Sequence, residues 1–315
     1  MDTLVSPLVD FVFKILLGSE QHKDITIHFL NAVLEGQPPI VDVEFLNPML
    51  EKETEEDRLS ILDILAEDTT GRRLHVEMQR ANHEGLAKRI AYYNASLFSG
   101  QLEEGEDYPA LRPAISICVL EGSLFKQAPR MHLDFRLRTT FGEVLTDNIQ
   151  IHLIELQKSL ATEHNVNRVG PLEQWAYFFR NADRINSNTL RQQLSQPVFD
   201  SALGVLEMIK RDPRWLSLYH RRLKLQMDER ARIAYAEEEA RSKGLVEGRA
   251  EGRVEGRAEG RTEGEARGEQ IGLIHGFQRI LALAETPRDE LAKLSLDSLS
   301  AMARELEQQY EAKKG

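Results

Sequence analysis

The 315-residue chain is 41% hydrophobic and carries a net charge of -11, with one cysteine. That length buries at least one large core and suggests one to three domains, while the acidic balance argues against a broad, sequence-blind electrostatic grip on a polyanion. A single cysteine excludes an intrachain disulfide; Cys118, in the apolar run Ala114-Ile115-Ser116-Ile117-Cys118-Val119-Leu120, is expected to be a buried thiol in a reducing cytoplasm. The amino terminus, Met1-Asp2-Thr3-Leu4, lacks a basic region followed by an apolar stretch, and no run is long enough to span a bilayer. Neither secretion nor a membrane anchor is expected. Residues 7–17 and 23–35 carry helical spacing, with Phe11, Ile15, Ile27, Leu30 and Leu34 on apolar faces and Gly36 with Pro38 ending the second segment. Strands are expected at 40–47, 59–67 and 73–80, the last two joined by a turn at Thr70-Gly71-Arg72. A helix over 84–101, a buried strand over 114–120 and two further strands over 131–137 and 149–156 complete a mixed, extended α/β sheet in the order α-β-β-β-α-β. From Gly170 onward the pattern is helical.

Nine of the 20 glycines, from Gly244 to Gly276, recur every four residues around a Glu-Gly-Arg unit. Like charges therefore meet four residues apart, Glu247 with Glu251 and Arg249 with Arg253, and no opposite-charge helical neighbours are expected. Each glycine costs about 1 kcal/mol against alanine in a helix. A flexible linker and a self-associating helix of right-handed winding are equally consistent with this segment. Beyond it, residues 271–284 are amphipathic, Thr286 and Pro287 are expected at the N-cap and first position of a new helix, and Ser295 is expected to cap the last one through Leu306. The chain thus divides into 1–160, a core with its sheet extension; 161–235, a helical region; 236–278, the repeat; and 279–315, the closing helices.

The chemistry centres on two acidic residues fourteen positions apart, Asp63 and Glu77, each in a strand-like run. Along 74–79, His75, Glu77 and Gln79 point one way and Leu74, Val76 and Met78 the other. Two carboxylates on adjacent strands repel unless compensated. An ion pair of Asp63 with Arg58, Arg72 or Lys88 would serve, as would a hard cation such as Mg²⁺. A basic stretch at 210–232 (Lys210, Arg211, Arg214, Arg221, Arg222, Lys224, Arg230 and Arg232, with Trp215 and Tyr219 interleaved) is a candidate nucleic-acid contact, though a solvated helix face is the commoner use of such a run. His75 is more simply a hydrogen-bonded strand histidine than a ligand, and Tyr92, Tyr93 and Trp175 are more simply core aromatics than stacking platforms. The sequence holds no HExxH, no GxGxxG and no Walker A loop, so no nucleotide cofactor is expected.

Asp63 with Glu77-Met78-Gln79, set in that element order, resembles the PD-(D/E)XK nuclease superfamily and its restriction-endonuclease-like core. Finer features are similar to the recombination-promoting nucleases, also called PD-(D/E)XK family transposases: Asp10-Phe11-Val12-Phe13-Lys14, Phe29-Leu30-Asn31, Arg89 with Tyr92-Tyr93, Gln101 through Gly105 to Tyr108, the segment from Leu172 to Phe178, and the Glu-Gly-Arg repeats. The resemblance covers most of the chain. It implies a Mg²⁺-dependent DNA endonuclease, with Mn²⁺ as a substitute, in which Asp63, Glu77 and the Met78 carbonyl hold the metal and Asp63, Glu77 and Gln79 form the catalytic set. Gln79 stands where the superfamily has lysine, so Arg89 or Lys88 would supply the missing positive charge. Asp10 and Lys14 would support the site, Asp10 as a second metal ligand or by positioning the first. The competing expectation is a catalytically degenerate nuclease fold that binds DNA or protein and self-associates through its carboxy-terminal helices; RNA in place of DNA is a third.

Overall fold

The computed structural model describes residues 3–46, 64–80 and 85–314. The chain forms two compact units, Met1–Gln226 and Met227–Gly315. In the first, helices α1 (Asp10–Leu17) and α2 (Lys23–Val33) precede strands β1 (Val43–Phe45), β2 (Ile64–Asp68) and β3 (Arg73–Gln79). Helix α3 (Leu86–Ser99) leads to β4 (Ala114–Leu120), β5 (His132–Arg138) and β6 (Val144–Glu155), and then come α4 (Pro171–Asn181), α5 (Ser187–Gln193), α6 (Pro197–Arg211) and the start of α7 (Pro213–Ile280). The six strands form one sheet in the order β1-β2-β3-β4-β6-β5. Pairing is parallel across β3/β4 and β4/β6 and antiparallel elsewhere, so the sheet is mixed.

The alternation of β3 and the apolar run of β4 have a direct structural consequence, because each strand is covered on both faces. Leu74, Val76, Ile115, Ile117, Val119 and Ile154 join α1, α2, α4 and α6 in the main core. On the opposite face, Cys118, Leu120 and Leu153 pack against Leu86 and Ile90 of α3. Cys118 is buried, as its setting requires. At the heart of the main core the Trp175 ring meets Phe29, Phe178, Phe179 and Phe199, with ring centroids 4.8 to 5.7 Å away. Its indole N–H donates to His28 Nδ1 at 3.0 Å. Helices α4 and α6 pack on α1 and α2, and their buried residues belong to the same core as the sheet's.

The turn between β2 and β3 is held by Asp68, whose Oδ1 accepts from the Thr70 and Arg72 amides and the Thr70 hydroxyl. Gly71 takes φ +83°, which a side chain would resist. Burial pushes the Asp68 carboxyl up, but the hydrogen bonds from Thr70 and Arg72 outweigh it and hold the group below the usual carboxylate range. Arg72 Nε lies 2.6 Å from Asp68 Oδ2 and its guanidinium also reaches the Pro38 carbonyl. Arg72 is thus paired with Asp68. Of the expected strand over 40–47, Val43–Phe45 forms the ladder and residue 47 lies outside the described residues; Ile40 stays out because the Asn31 side chain bonds both its N–H and its carbonyl.

In the second unit, Ile271, Ile274 and Leu281 pack with Leu291 of α8 (Arg288–Leu291) and with Leu299, Ala303 and Leu306 of α9 (Leu296–Lys314). Ser295 caps α9 through its hydroxyl, which accepts from the Ser298 amide, and the helix runs past Leu306. Thr286 and Pro287 differ from expectation by one place. Pro287 is the N-cap of α8, because the Thr286 hydroxyl, amide and carbonyl are bound by Gln278 and His275. The glycine repeat is helical throughout, and opposite-charge pairs do occur where the unit breaks: Arg261 with Glu265 at 2.8 Å and Glu263 with Arg267 at 3.5 Å. No described helix is long and apolar enough to cross a membrane.

Candidate active site

Glu77 lies on the face of β3 that α3 covers, and it is 2% exposed. Strand periodicity puts His75 and Gln79 on the same side. Its carboxylate Oε2 accepts from Gln79 Nε2 at 3.1 Å and from Arg89 Nη2 at 3.5 Å. The other oxygen, Oε1, is buried and has no hydrogen-bond partner among the described residues, and the same holds for Arg89 Nε. An unpaired oxygen on a buried carboxylate is costly, and a hard cation satisfies it better than a neutral donor does. Glu77 Oε1 thus presents one carboxylate oxygen with no partner among the described residues at this end of β3.

Asp63 lies outside the described residues. Ile64, next to it in the chain, pairs with Val76, next to Glu77. Met78 turns its side chain to the main core. Lys14 is buried in α1. A Cβ on Gly18 would fall 2.8 Å from the Lys14 carbonyl oxygen and 3.1 Å from Ile64 Cγ1, so the bare glycine lets the end of α1 approach the first described residue of β2. Asp10 Oδ2 pairs with Arg222 of α7 at 3.2 Å and its Oδ1 accepts from the Phe11 amide. Among the described residues no group of three or more His, Cys, Asp or Glu side chains converges as a metal site.

Two further features organise the site. Asn94 is fully buried in α3, and its Nδ2 faces the Ala114 and Gln150 carbonyls and the Ser116 hydroxyl at 2.9 to 3.1 Å, fastening the helix to β4 and β6. Its signal in the sequence is the interval of four through Leu86, Ile90 and Asn94, which puts a polar group on the apolar stripe. Arg80, just past Gln79, pairs with Glu121 at 2.8 Å and donates to Gln226 of α7.

Four of the eight cations of the basic stretch contact other groups of the protein, and two of these, Arg211 and Arg214, remain exposed. Lys210 donates to the Thr3 carbonyl, Arg211 pairs with Glu207, Arg214 with Asp212 and Arg222 with Asp10; Arg221 and Lys224 are exposed. The interleaved aromatics serve packing: Trp215 stacks on Phe11 with centroids 6.1 Å apart, and the Tyr219 hydroxyl accepts from the Ser6 amide. Trp175 is core, as expected, but Tyr92 and Tyr93 are 68% and 44% exposed, against the expectation of core aromatics. His75 is buried with its ring edge-on to Tyr93, as a packed strand histidine.

The family model described as PD-(D/E)XK nuclease family transposase matches residues 7–236. No curated protein and no solved structure matches the chain.

Proposed function

From the premise that the chain belongs to the PD-(D/E)XK nuclease family transposases, we propose that it is a metal-dependent DNA endonuclease of the recombination-promoting type. Family membership already points to a nuclease or transposase acting on phosphodiesters and to DNA as partner. The observation that carries the finer reading is the buried Glu77 Oε1 without a partner beside Arg89 and Gln79. Asp63, Glu77 and the Met78 carbonyl would hold Mg²⁺ or Mn²⁺. A bound divalent cation supplies an acidified water and neutralises charge on phosphoryl oxygens.

The chain's own residues do the rest. Gln79, with its amide nitrogen turned to Glu77, offers its amide oxygen to accept a hydrogen bond from the attacking water. Arg89 supplies the fixed positive charge that the superfamily's lysine would otherwise bring. Cutting of supercoiled plasmid is expected with Mg²⁺ and Mn²⁺, and its loss in EDTA and in the folded Asp63→Ala variant. DNA left intact at every protein concentration would favour the degenerate binding module, and cutting that survives Asp63→Ala would place the activity elsewhere.

We also infer that the repeat joins two copies of the chain in parallel. Successive helical residues turn by about 100°, so Gly248, Gly252, Gly256 and Gly260 form a stripe flanked by Glu247, Glu251, Glu255 and Glu259 on one side and Arg249, Arg253, Arg257 and Arg261 on the other. A two-fold axis running along a parallel pair turns the Glu flank of one copy onto the Arg flank of the other. An antiparallel pair sets Glu on Glu and Arg on Arg. Such pairing would bring two nuclease units to one DNA. Light scattering is expected to show an oligomer that dissociates when residues 244–276 are deleted, and also when those four arginines are changed to glutamate. An unchanged mass in either variant contradicts the pairing.

A further inference from the structure

Helix α3 covers Glu77 with one side and leaves another to solvent. Its inner stripe is Leu86, Ile90 and Asn94. Arg89, Tyr92, Tyr93 and Ser96 follow at spacings of three and four and so share a second stripe. That stripe starts at the site, where Arg89 Nη2 contacts Glu77, and Tyr93 continues it against His75, two residues before Glu77 on the same strand face. The Arg89 side chain is 40% exposed. The Tyr92 and Tyr93 rings touch, with centroids 5.8 Å apart and planes at 65°. In a chain of net charge -11, α3 carries Lys88 and Arg89 and no carboxylate.

Two large rings left in water beside a buried carboxylate, on a helix whose only charges are positive, fit a ligand that is both anionic and flat-faced. We propose that this stripe is a stacking platform for unpaired DNA bases, so that the substrate at Glu77 is single-stranded or locally opened DNA; the inference rests on the nuclease reading of the site. In a paired duplex each base face is already covered by its neighbours, and a side-chain ring reaches one only after unstacking. Planes tilted by 65° do not both enter one continuous stack, which suits bases splayed apart. Arg89 meets the phosphate between them as a forked donor, and the tyrosine hydroxyls add hydrogen bonds at the rim.

The test uses full-length protein in EDTA, so that binding is read without cutting. The probes are a fluorescent 20-nucleotide single strand, its paired duplex, and the duplex with an internal unpaired loop. Tyr92→Ala with Tyr93→Ala is expected to weaken binding to the single strand and the looped duplex about tenfold or more, with little change on the paired duplex. Tyr92→Phe with Tyr93→Phe keeps the rings and is expected to restore the affinity. Equal affinity of the alanine variant, an equal loss on the paired duplex, or phenylalanine variants as weak as alanine would each overturn the platform. Plasmid cutting with Mg²⁺ is scored separately. Cutting with no tyrosine effect rejects the platform and keeps the nuclease, whereas tyrosine-dependent binding without cutting keeps the platform and rejects the nuclease.

Discussion

Replacing Glu77 by glutamine is expected to lower DNA cutting by roughly 10³-fold or more while leaving the protein as stable as the parent or more stable. The two effects have one origin. Glu77 is 2% exposed, and its Oε2 has one amide donor and one long guanidinium contact, while Oε1 has no partner among the described residues. A carboxylate so placed costs desolvation that its neighbours do not return. Glutamine keeps the shape and removes the charge, and Arg89, 40% exposed, still reaches water. Groups kept at a cost to stability are those that function requires. Urea unfolding and plasmid nicking on the same preparations check the prediction. Added Mg²⁺ is expected to raise the unfolding midpoint of the parent and not that of Glu77→Gln, since a ligand stabilises only the form that binds it. A loss of stability together with activity would instead make Glu77 and Arg89 a structural ion pair.

Much of this arrangement was legible in the chain. The alternation through Leu74, His75, Val76 and Glu77 and the unbroken apolar run around Cys118 identify two neighbouring strands, because strand periodicity and double-sided burial are local properties. The carboxylate on the covered face of β3 followed from the same alternation. What was not legible depends on partners distant in sequence. Ile40 left the ladder because of Asn31, nine residues earlier. Arg72 was taken by Asp68 and Asp10 by Arg222. Four of the eight cations of the basic stretch contact Thr3, Asp10, Glu207 and Asp212. Tyr92 and Tyr93 are a different case. Once Leu86, Ile90 and Asn94 define the inner stripe of α3, both tyrosines fall off it, so their exposure was readable from spacing alone. The repeat offered no local signal to decide between linker and helix, because its dominant unit places like charges four apart and the compensating pairs arise only around Glu263 and Glu265.

Trp175→Ala is expected to destabilise the first unit by about 4 kcal/mol, a fall of roughly 10 °C in its melting midpoint for a unit of this size. The indole is fully buried among four phenylalanines, two of them on its own helix and one each from α2 and α6, so truncation opens a cavity where three elements meet. Rings from separate helices do not close such a space without moving the helices themselves. Trp175→Phe is expected to cost less, about 1 to 2 kcal/mol, since it keeps most of the volume and loses the hydrogen bond to His28 Nδ1. His28 is held on its other side by Gln196 at 3.0 Å, so the imidazole stays in place with one nitrogen unsatisfied. The same variant separates packing from recognition. Below its melting range, Trp175→Ala should bind single-stranded DNA as the parent does, because the indole lies in the core and not on the α3 stripe. A selective loss of DNA affinity in protein that remains folded would move the aromatic contact from Tyr92 and Tyr93 to the helical side of the unit.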